Sequence, residues 1–368
     1  MNSLRSLNQH GQSVWLDNIS RGLITSGGLQ RLIDDDGVSG MTSNPTIFDK
    51  AIAGSGDYDA ALHHALESGR NLNARALAER LIVEDIQLAA DVLRPVYDGS
   101  DGADGFVSIE VSPASAHDTG ATIAEARHLW QAVARPNIMI KVPATVEGTR
   151  AVELLTAEGI NMNITLMFSL EHYEAVAHAY LRGLDRHPDP RRVNSVASLF
   201  VSRLDVVADR ALETIGSPQA LSLRGAVAIA NAQRVYRRFR EIFGGESFAA
   251  LWRRGARVQR PLWASTGTKN PAYSDVLYVE ALIGPETITT VPPATMDAFR
   301  DHGRVRVTLG TSEEDPEAVL ANATAVGLDL RALTEQLQAE AISAFATSFD
   351  QLIATVEEKR RHMFAAAK

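Results

Sequence analysis

The chain has 368 residues, 45% hydrophobic and 22% charged, with a net charge of -9 at pH 7. That balance describes a soluble globular protein with enough apolar side chains for a sizeable core, and its acidity argues against a general nucleic-acid binder. With no cysteine there can be no disulfide, thiolate metal site or cysteine nucleophile. The first residues lack the apolar centre of a signal peptide and no apolar run approaches membrane-spanning length, so a cytoplasmic protein without membrane association is expected.

The first strand-like run covers residues 13–17 and ends in Asp17. Helical signals follow over 22–34, until three aspartates and Gly37 break the pattern. A second strand over 38–43 leads to Asn44 and Pro45, a residue well placed at a helix start. Helices dominate from 47 to 97, most clearly over 74–93, where Gly and Pro are absent. Residues 99–105 form a glycine- and aspartate-rich loop. The third strand, 106–111, is stopped by Ser112 and Pro113, and Asp118 is placed to cap a helix running to Ala134. Strand four covers 138–142, with a helix over 148–157. Strand five covers 161–166, with a helix over 170–184. Strand six covers 194–200, with helical sequence from Arg203 and again over 223–242. Strand seven covers 261–267 and strand eight 287–291, the last closed by Pro292 and Pro293. A long amphipathic helix ends the chain, with Leu330, Leu333, Leu337, Phe345, Phe349 and Leu352 on its buried side.

Eight short strands, mostly separated by helices, predict an α/β fold. We expect a single (β/α)8 TIM barrel over residues 1–368, with additional helices and a long C-terminal helix. A doubly wound open sheet would want a glycine fingerprint after the first strand, and Trp15, Leu16, Asp17 and Asn18 contain none.

The strands stop being apolar at their ends: Asp17, Asn44, Glu110, Lys141, Thr165, Ser198 and Ser265. Residues two apart share a strand face, so Thr42 with Asn44, Ser108 with Glu110, and Asn163 with Thr165 project together. If those faces point into a barrel, they converge at its carboxyl mouth and can satisfy one another there. Taken singly, Asp17 and Asn44 could cap helices, Glu110 could pair with an arginine, and Ser198 and Ser265 could be turn hydroxyls. Lys141 is the residue that most needs a reason. An amine in so apolar a strand either snorkels to water or serves as a nucleophile. A neutral amine attacks a ketone to give an imine, an electron sink for breaking an adjacent C–C bond. Such chemistry needs a carboxylate for the β-hydroxyl proton and a second acid–base group for imine formation, and no metal or coenzyme. Metal-site spacings are poor: His63 and His64 point opposite ways on a helix, and His172 and His178 do not share a face. Arg203 and Lys269, just past strands six and seven, stand where barrels often capture a phosphate, or are solvated loop charges.

The motifs together resemble the transaldolases of the class I aldolase superfamily. They are Trp15-Leu16-Asp17-Asn18 with Arg21, Thr42-Ser43-Asn44-Pro45, Val107-Ser108-Ile109-Glu110, and Ile140-Lys141-Val142-Pro143. In order there follow Asn163-Ile164-Thr165, Ala197-Ser198-Leu199-Phe200 with Arg203, Ser265-Thr266-Gly267-Thr268-Lys269, and Thr290-Val291-Pro292-Pro293. The resemblance implies transfer of a dihydroxyacetone unit between sugar phosphates in the non-oxidative pentose phosphate pathway. Lys141 would form the Schiff base, Asp17 would be the acid–base residue at the cleaved carbon, and Glu110 with Thr165 would hold the catalytic water. Asn44, Asn163 and Ser198 would bind hydroxyls of the three-carbon unit, Arg203 and Lys269 the phosphate. Phe200 would keep water from the intermediate, and Ser265 would add to the substrate site. It implies no cofactor or metal, and either a monomer or a homodimer. Lys269 departs from the arginine that many transaldolases carry. Val142 and Pro143 mark a subgroup that resembles sequences fused elsewhere to a sugar-phosphate isomerase, a partner this chain does not show. The nearest alternative is a fructose-6-phosphate aldolase of the same superfamily, in which a tyrosine tends to replace Phe200. A pyridoxal-phosphate barrel enzyme and a catalytically dead binding module are further from the pattern.

Overall fold

A computed structural model describes residues 2–67, 72–311 and 315–366. Its strands are β1 (Gln12–Asp17), β2 (Val38–Thr42), β3 (Phe106–Glu110), β4 (Ile138–Pro143), β5 (Met162–Met167), β6 (Ser195–Phe200), β7 (Gln259–Ala264) and β8 (Thr287–Val291). Every neighbouring pair is parallel, and β8 returns to β1, so the sheet closes as the expected eight-stranded barrel. β4 shows why these segments are strands. All six of its residues are buried, as a parallel strand covered on both faces requires, and Pro143 occupies its last position.

Inward and outward residues alternate, so each strand carries a layered set of inner side chains. Near the amino ends of the strands the inner layer is large: Trp15, Phe106, Met139, Val196, Arg260 and Ile288 border a single chamber. There the Trp15 indole N–H donates to Asp104 Oδ1 at 2.8 Å, and the Arg260 guanidinium stands 3.6 Å from the same carboxylate. Gly40 on β2 faces that indole so closely that a Cβ would lie 2.4 Å from it. Toward the carboxyl ends the inner layer turns polar.

Several element boundaries differ from the sequence expectation, each for a local reason. Residues 22–34 are two helices, Arg21–Thr25 capped by the Ser20 side chain and Gly28–Asp36, because Gly27 adopts φ +74° between them. The helix beginning at Ala74 runs through Pro95 to Gly99. The stretch expected to be helical from 47 to 97 includes residues 68–71, which lie outside the described residues. The helix expected from 223 starts at Val227, since Gly225 at φ +75° turns the chain first. β7 starts at Gln259 and stops at Ala264, where Ser265 enters the left-handed region at φ +57°.

The C-terminal helix, Leu330–Ala366, lies across the carboxyl end of the barrel. Leu337, Phe345 and Leu352 are buried as expected, whereas Leu330, Leu333 and Phe349 are half-buried. Its Gln338 side chain donates to the carbonyls of Ala144 and Leu166, each at 3.0 Å. One amide thus ties the helix to the ends of both β4 and β5.

Candidate active site

The carboxyl ends of the strands surround a cavity of about 210 Å³. Nine of the eleven residues expected at the site line it: Asp17, Asn44, Lys141, Thr165, Ser198, Phe200, Arg203, Ser265 and Lys269. Glu110 and Asn163 stand behind that wall and bond to residues in it.

Lys141 is the centre. Its register partners are Glu110 on β3 and Asn163 on β5, so the three project at one level of the barrel. The Lys141 ammonium lies 3.3 Å from Glu110 Oε2 and donates to the Ser43 carbonyl at 3.2 Å. Both side chains of the pair are 6% exposed. The snorkelling alternative is thereby removed: this amine points into the barrel. Burial pushes the Glu110 carboxyl above the usual carboxylate range, and the Lys141 charge opposes that only in part. A carboxyl so placed keeps its proton to higher pH than an exposed one, and the charge beside it sets how readily the proton leaves.

Asp17 lies across the cavity and accepts a 2.8 Å hydrogen bond from the Thr42 hydroxyl. It caps nothing; Ser20 caps the helix that follows. Asn44 does both things open to it. Its Oδ1 accepts from Ile47 N at 3.0 Å, capping the helix Pro45–Ala53, while the residue borders the cavity. Asn163 is fully buried and bonded at both ends of its amide, accepting from Ser198 Oγ at 2.7 Å and donating to Ser108 Oγ at 2.9 Å. It fixes the Ser198 hydroxyl from behind. Thr165 Oγ1 is buried and has no hydrogen-bond partner among the described residues, so a wall hydroxyl of the cavity retains its full bonding capacity.

The far side is cationic. Arg203 sits in the first turn of the helix Ser202–Ile215, its guanidinium 5.3 Å from the Phe200 ring centre and 5.5 Å from that of Phe345. Burial lowers its pKa, while Asp17 and Glu110 pull the other way. No ion pair among the described residues uses it, so its donors face the cavity between two aromatic plates. Ser265, strained into the left-handed region, shares a 2.8 Å contact with the Ser202 hydroxyl and starts the loop that carries the exposed Lys269. Phe200 packs on Phe168 with ring centres 5.4 Å apart.

Such an arrangement offers an amine with an adjacent carboxyl, a second carboxylate across a small cavity, ordered hydroxyls and amides, and two cations at one edge. Among the described residues, no three His, Asp or Glu are grouped to hold a metal ion, and no helix is long and apolar enough to cross a membrane.

Residues 14–356 match the family model described as transaldolase/fructose-6-phosphate aldolase. The chain belongs to that family. Relatives agree over nearly the whole length. A transaldolase of Thiobacillus denitrificans is 46% identical over 97% of this chain and 100% of its own. One of Mycobacterium ulcerans is 45% identical over 95% of each, and transaldolase 2 of Nostoc punctiforme is 43% identical over 97% of each. The family is one of enzymes acting on sugar phosphates.

Three contributors escaped the sequence reading. The Ser43 carbonyl holds the lysine through backbone, which no side-chain pattern reveals. Thr42 was paired with Asn44 by strand alternation, yet its bond to Asp17 depends on β1–β2 register. Phe345, 6.0 Å from the Lys141 amine, arrives from a helix about two hundred residues away. Its burial was legible, its destination was not.

Proposed function

We propose that the chain is a transaldolase that moves a dihydroxyacetone unit through a Schiff base on Lys141. The donor is a ketose phosphate, fructose 6-phosphate or sedoheptulose 7-phosphate, and the acceptor an aldose phosphate, glyceraldehyde 3-phosphate or erythrose 4-phosphate. The observation that carries this reading is the nearly buried Lys141 amine, 3.3 Å from Glu110, in one cavity with Asp17 and two further cations.

In this reading the amine adds to the ketose carbonyl to give a carbinolamine. Loss of that hydroxyl as water gives the iminium, with Glu110 and Thr165 holding the water and Glu110 moving its proton. Asp17 takes the proton from the hydroxyl β to the iminium carbon. The C–C bond beside that hydroxyl breaks, its electrons neutralise the iminium as an enamine, and the aldose departs. The acceptor aldehyde then enters, the enamine carbon attacks it, and Asp17 returns the proton to the new alkoxide. Hydrolysis of the second imine frees the product and the amine, so no oxidant, metal or coenzyme enters the balance. Asn44 and Ser198, the latter held by Asn163, bind hydroxyls of the three-carbon unit beside Ser265, and Arg203 with Lys269 binds the phosphate. Phe200 brings a ring without a hydroxyl against the intermediate, which favours transfer over release by water. Non-oxidative pentose phosphate metabolism in the cytoplasm is the setting this activity implies.

Borohydride reduction in the presence of fructose 6-phosphate tests the reading. A three-carbon adduct on the Lys141 peptide is expected, with none in Lys141→Ala; labelling elsewhere, or no label, overturns it. A coupled assay with erythrose 4-phosphate separates the alternatives within the family. Transfer should far exceed release of free dihydroxyacetone; the reverse would make the enzyme a fructose-6-phosphate aldolase.

A further inference from the structure

Two aspartates of the helix Ser202–Ile215 lie outside the cavity and take no part in the chemistry above. Asp205 is 1% exposed and Asp209 7%. Buried carboxylates need compensation, and each has the same kind. One oxygen accepts a backbone N–H at the start of the helix Val227–Gly244 or just before it: Ala228 N to Asp205 at 3.2 Å, Gly225 N to Asp209 at 2.9 Å. The other oxygen accepts a tyrosine hydroxyl, Tyr278 to Asp205 at 2.8 Å and Tyr273 to Asp209 at 2.6 Å.

Both tyrosines belong to the segment after β7. Tyr273 is four residues beyond Lys269, and its ring lies against Gly225, where a Cβ would come within 3.1 Å of the ring. Between them the loop is closed by the Thr268 hydroxyl, which donates to the Ser274 carbonyl at 2.8 Å. Lys269 itself is exposed, and none of the ion pairs among the described residues uses it. An exposed lysine on a loop has much rotamer and backbone freedom to lose on binding an anion. The same helix that carries Arg203 in its first turn therefore holds, by two hydroxyl–carboxylate bonds, the loop that carries Lys269.

We propose that Asp209 and Tyr273, supported by Asp205 and Tyr278, are positioning residues for phosphate recognition, fixing Lys269 at its span from Arg203. This rests on the assignment of Arg203 and Lys269 as the phosphate cations. The four residues touch neither substrate nor Lys141. Their effect is confined to how well two charges are pre-arranged for one dianion.

The test uses Tyr273→Phe, which keeps the ring on Gly225 and removes only the hydroxyl, with Asp209→Asn as a second variant. KM for fructose 6-phosphate should rise about 5–10-fold in Tyr273→Phe with kcat within twofold, the size expected for one charge-assisted hydrogen bond. Turnover of unphosphorylated fructose should be unchanged, and the dissociation constant of inorganic phosphate measured by calorimetry should weaken by the same factor as KM. An unchanged phosphate affinity, or an equal loss with both sugars, overturns the proposal. The phosphate titration needs no turnover. A parent protein that binds phosphate but forms no Lys141 adduct would therefore count against the transaldolase reading alone.

Discussion

Replacement of Gln338 probes how the C-terminal helix is held over the site. Its amide donates to the carbonyls of Ala144 and Leu166 at 3.0 Å each, at the ends of the strands that carry Lys141 and Thr165. Both carbonyl residues are buried, 5% and 1% exposed, while Gln338 is half-buried. In Gln338→Ala two hydrogen bonds vanish, each contributing about 1 kcal/mol net. Water reaches a half-buried site and takes over part of that role, so about 2 kcal/mol is an upper figure. Gln338→Glu is the sharper variant. A carboxylate has no donor, so both carbonyl oxygens would face the one carboxylate oxygen that takes the amide nitrogen's place, about 3 Å from each. The loss should exceed that of the alanine variant by roughly 1–3 kcal/mol, the range for buried polar groups left unsatisfied. Acidification should recover part of it, since a protonated carboxyl regains one donor. Urea unfolding at pH 7 and pH 5 gives the global term, and hydrogen exchange along residues 330–366 shows whether the helix opens locally. In the coupled assay, release of dihydroxyacetone relative to transfer should rise in the same order. A glutamate variant as stable as the parent, or more stable than the alanine variant, would refute the view that this amide is the latch.

Three further outcomes follow from particular contacts. Gly40→Ala sets a methyl 2.4 Å from an indole that is fully buried and bonded to Asp104, so it should cost at least about 1–3 kcal/mol in urea unfolding; a loss under about 0.5 kcal/mol would mean the barrel floor has slack. Asp205 is raised by burial from 3.8 to about 6. Below 3.8 both folded and unfolded chains are protonated there; as pH rises to about 6 the unfolded chain ionises first, so this group costs stability that is fully lost above about 6. The parent should therefore lose about 2 kcal/mol relative to Asp205→Asn between pH 4 and pH 7, and parallel stability curves would contradict the assignment. Lys269→Arg should lower KM for fructose 6-phosphate a few-fold with kcat unchanged, because a planar fork matches a phosphate better than a point charge; an unchanged or raised KM would remove Lys269 from the phosphate site.

The barrel was legible because strand ends and helix punctuation are local. Prolines at 45, 143, 292 and 293 and the change from apolar to polar near each strand's carboxyl end are visible without tertiary knowledge. Alternation within a strand likewise placed Ser108 with Glu110 and Asn163 with Thr165, and both pairs do face the barrel interior. Single turns were less legible. Gly27 and Gly225 divide or delay helices through positive φ, and Ser265 ends β7 through a positive φ without being glycine, so composition gave no warning at that position. The strain at Ser265 has a counterpart in the site, where its hydroxyl meets Ser202 beside Arg203.

What alternation cannot convey is which of two polar neighbours reaches the cavity and which supports it. The resemblance implies the catalytic water for Glu110 and a substrate hydroxyl for Asn163; in the folded barrel both stand behind the cavity wall, bonded to Lys141 and to Ser198. That placement separates two kinds of residue on one layer. Lys141, Asp17 and Arg203 present groups to the cavity, while Glu110, Asn163, Thr42 and the Ser43 carbonyl determine where those groups point. Apart from the Ser43 carbonyl, which reaches Lys141 from beyond β2, the supporting set comes from strands adjacent to those it serves, so it depends on register: a one-residue slip of β3 against β4 would take Glu110 away from Lys141 while leaving both in the sequence. Chemistry at this site is thus specified twice, once by residue type and once by the alignment of neighbouring strands.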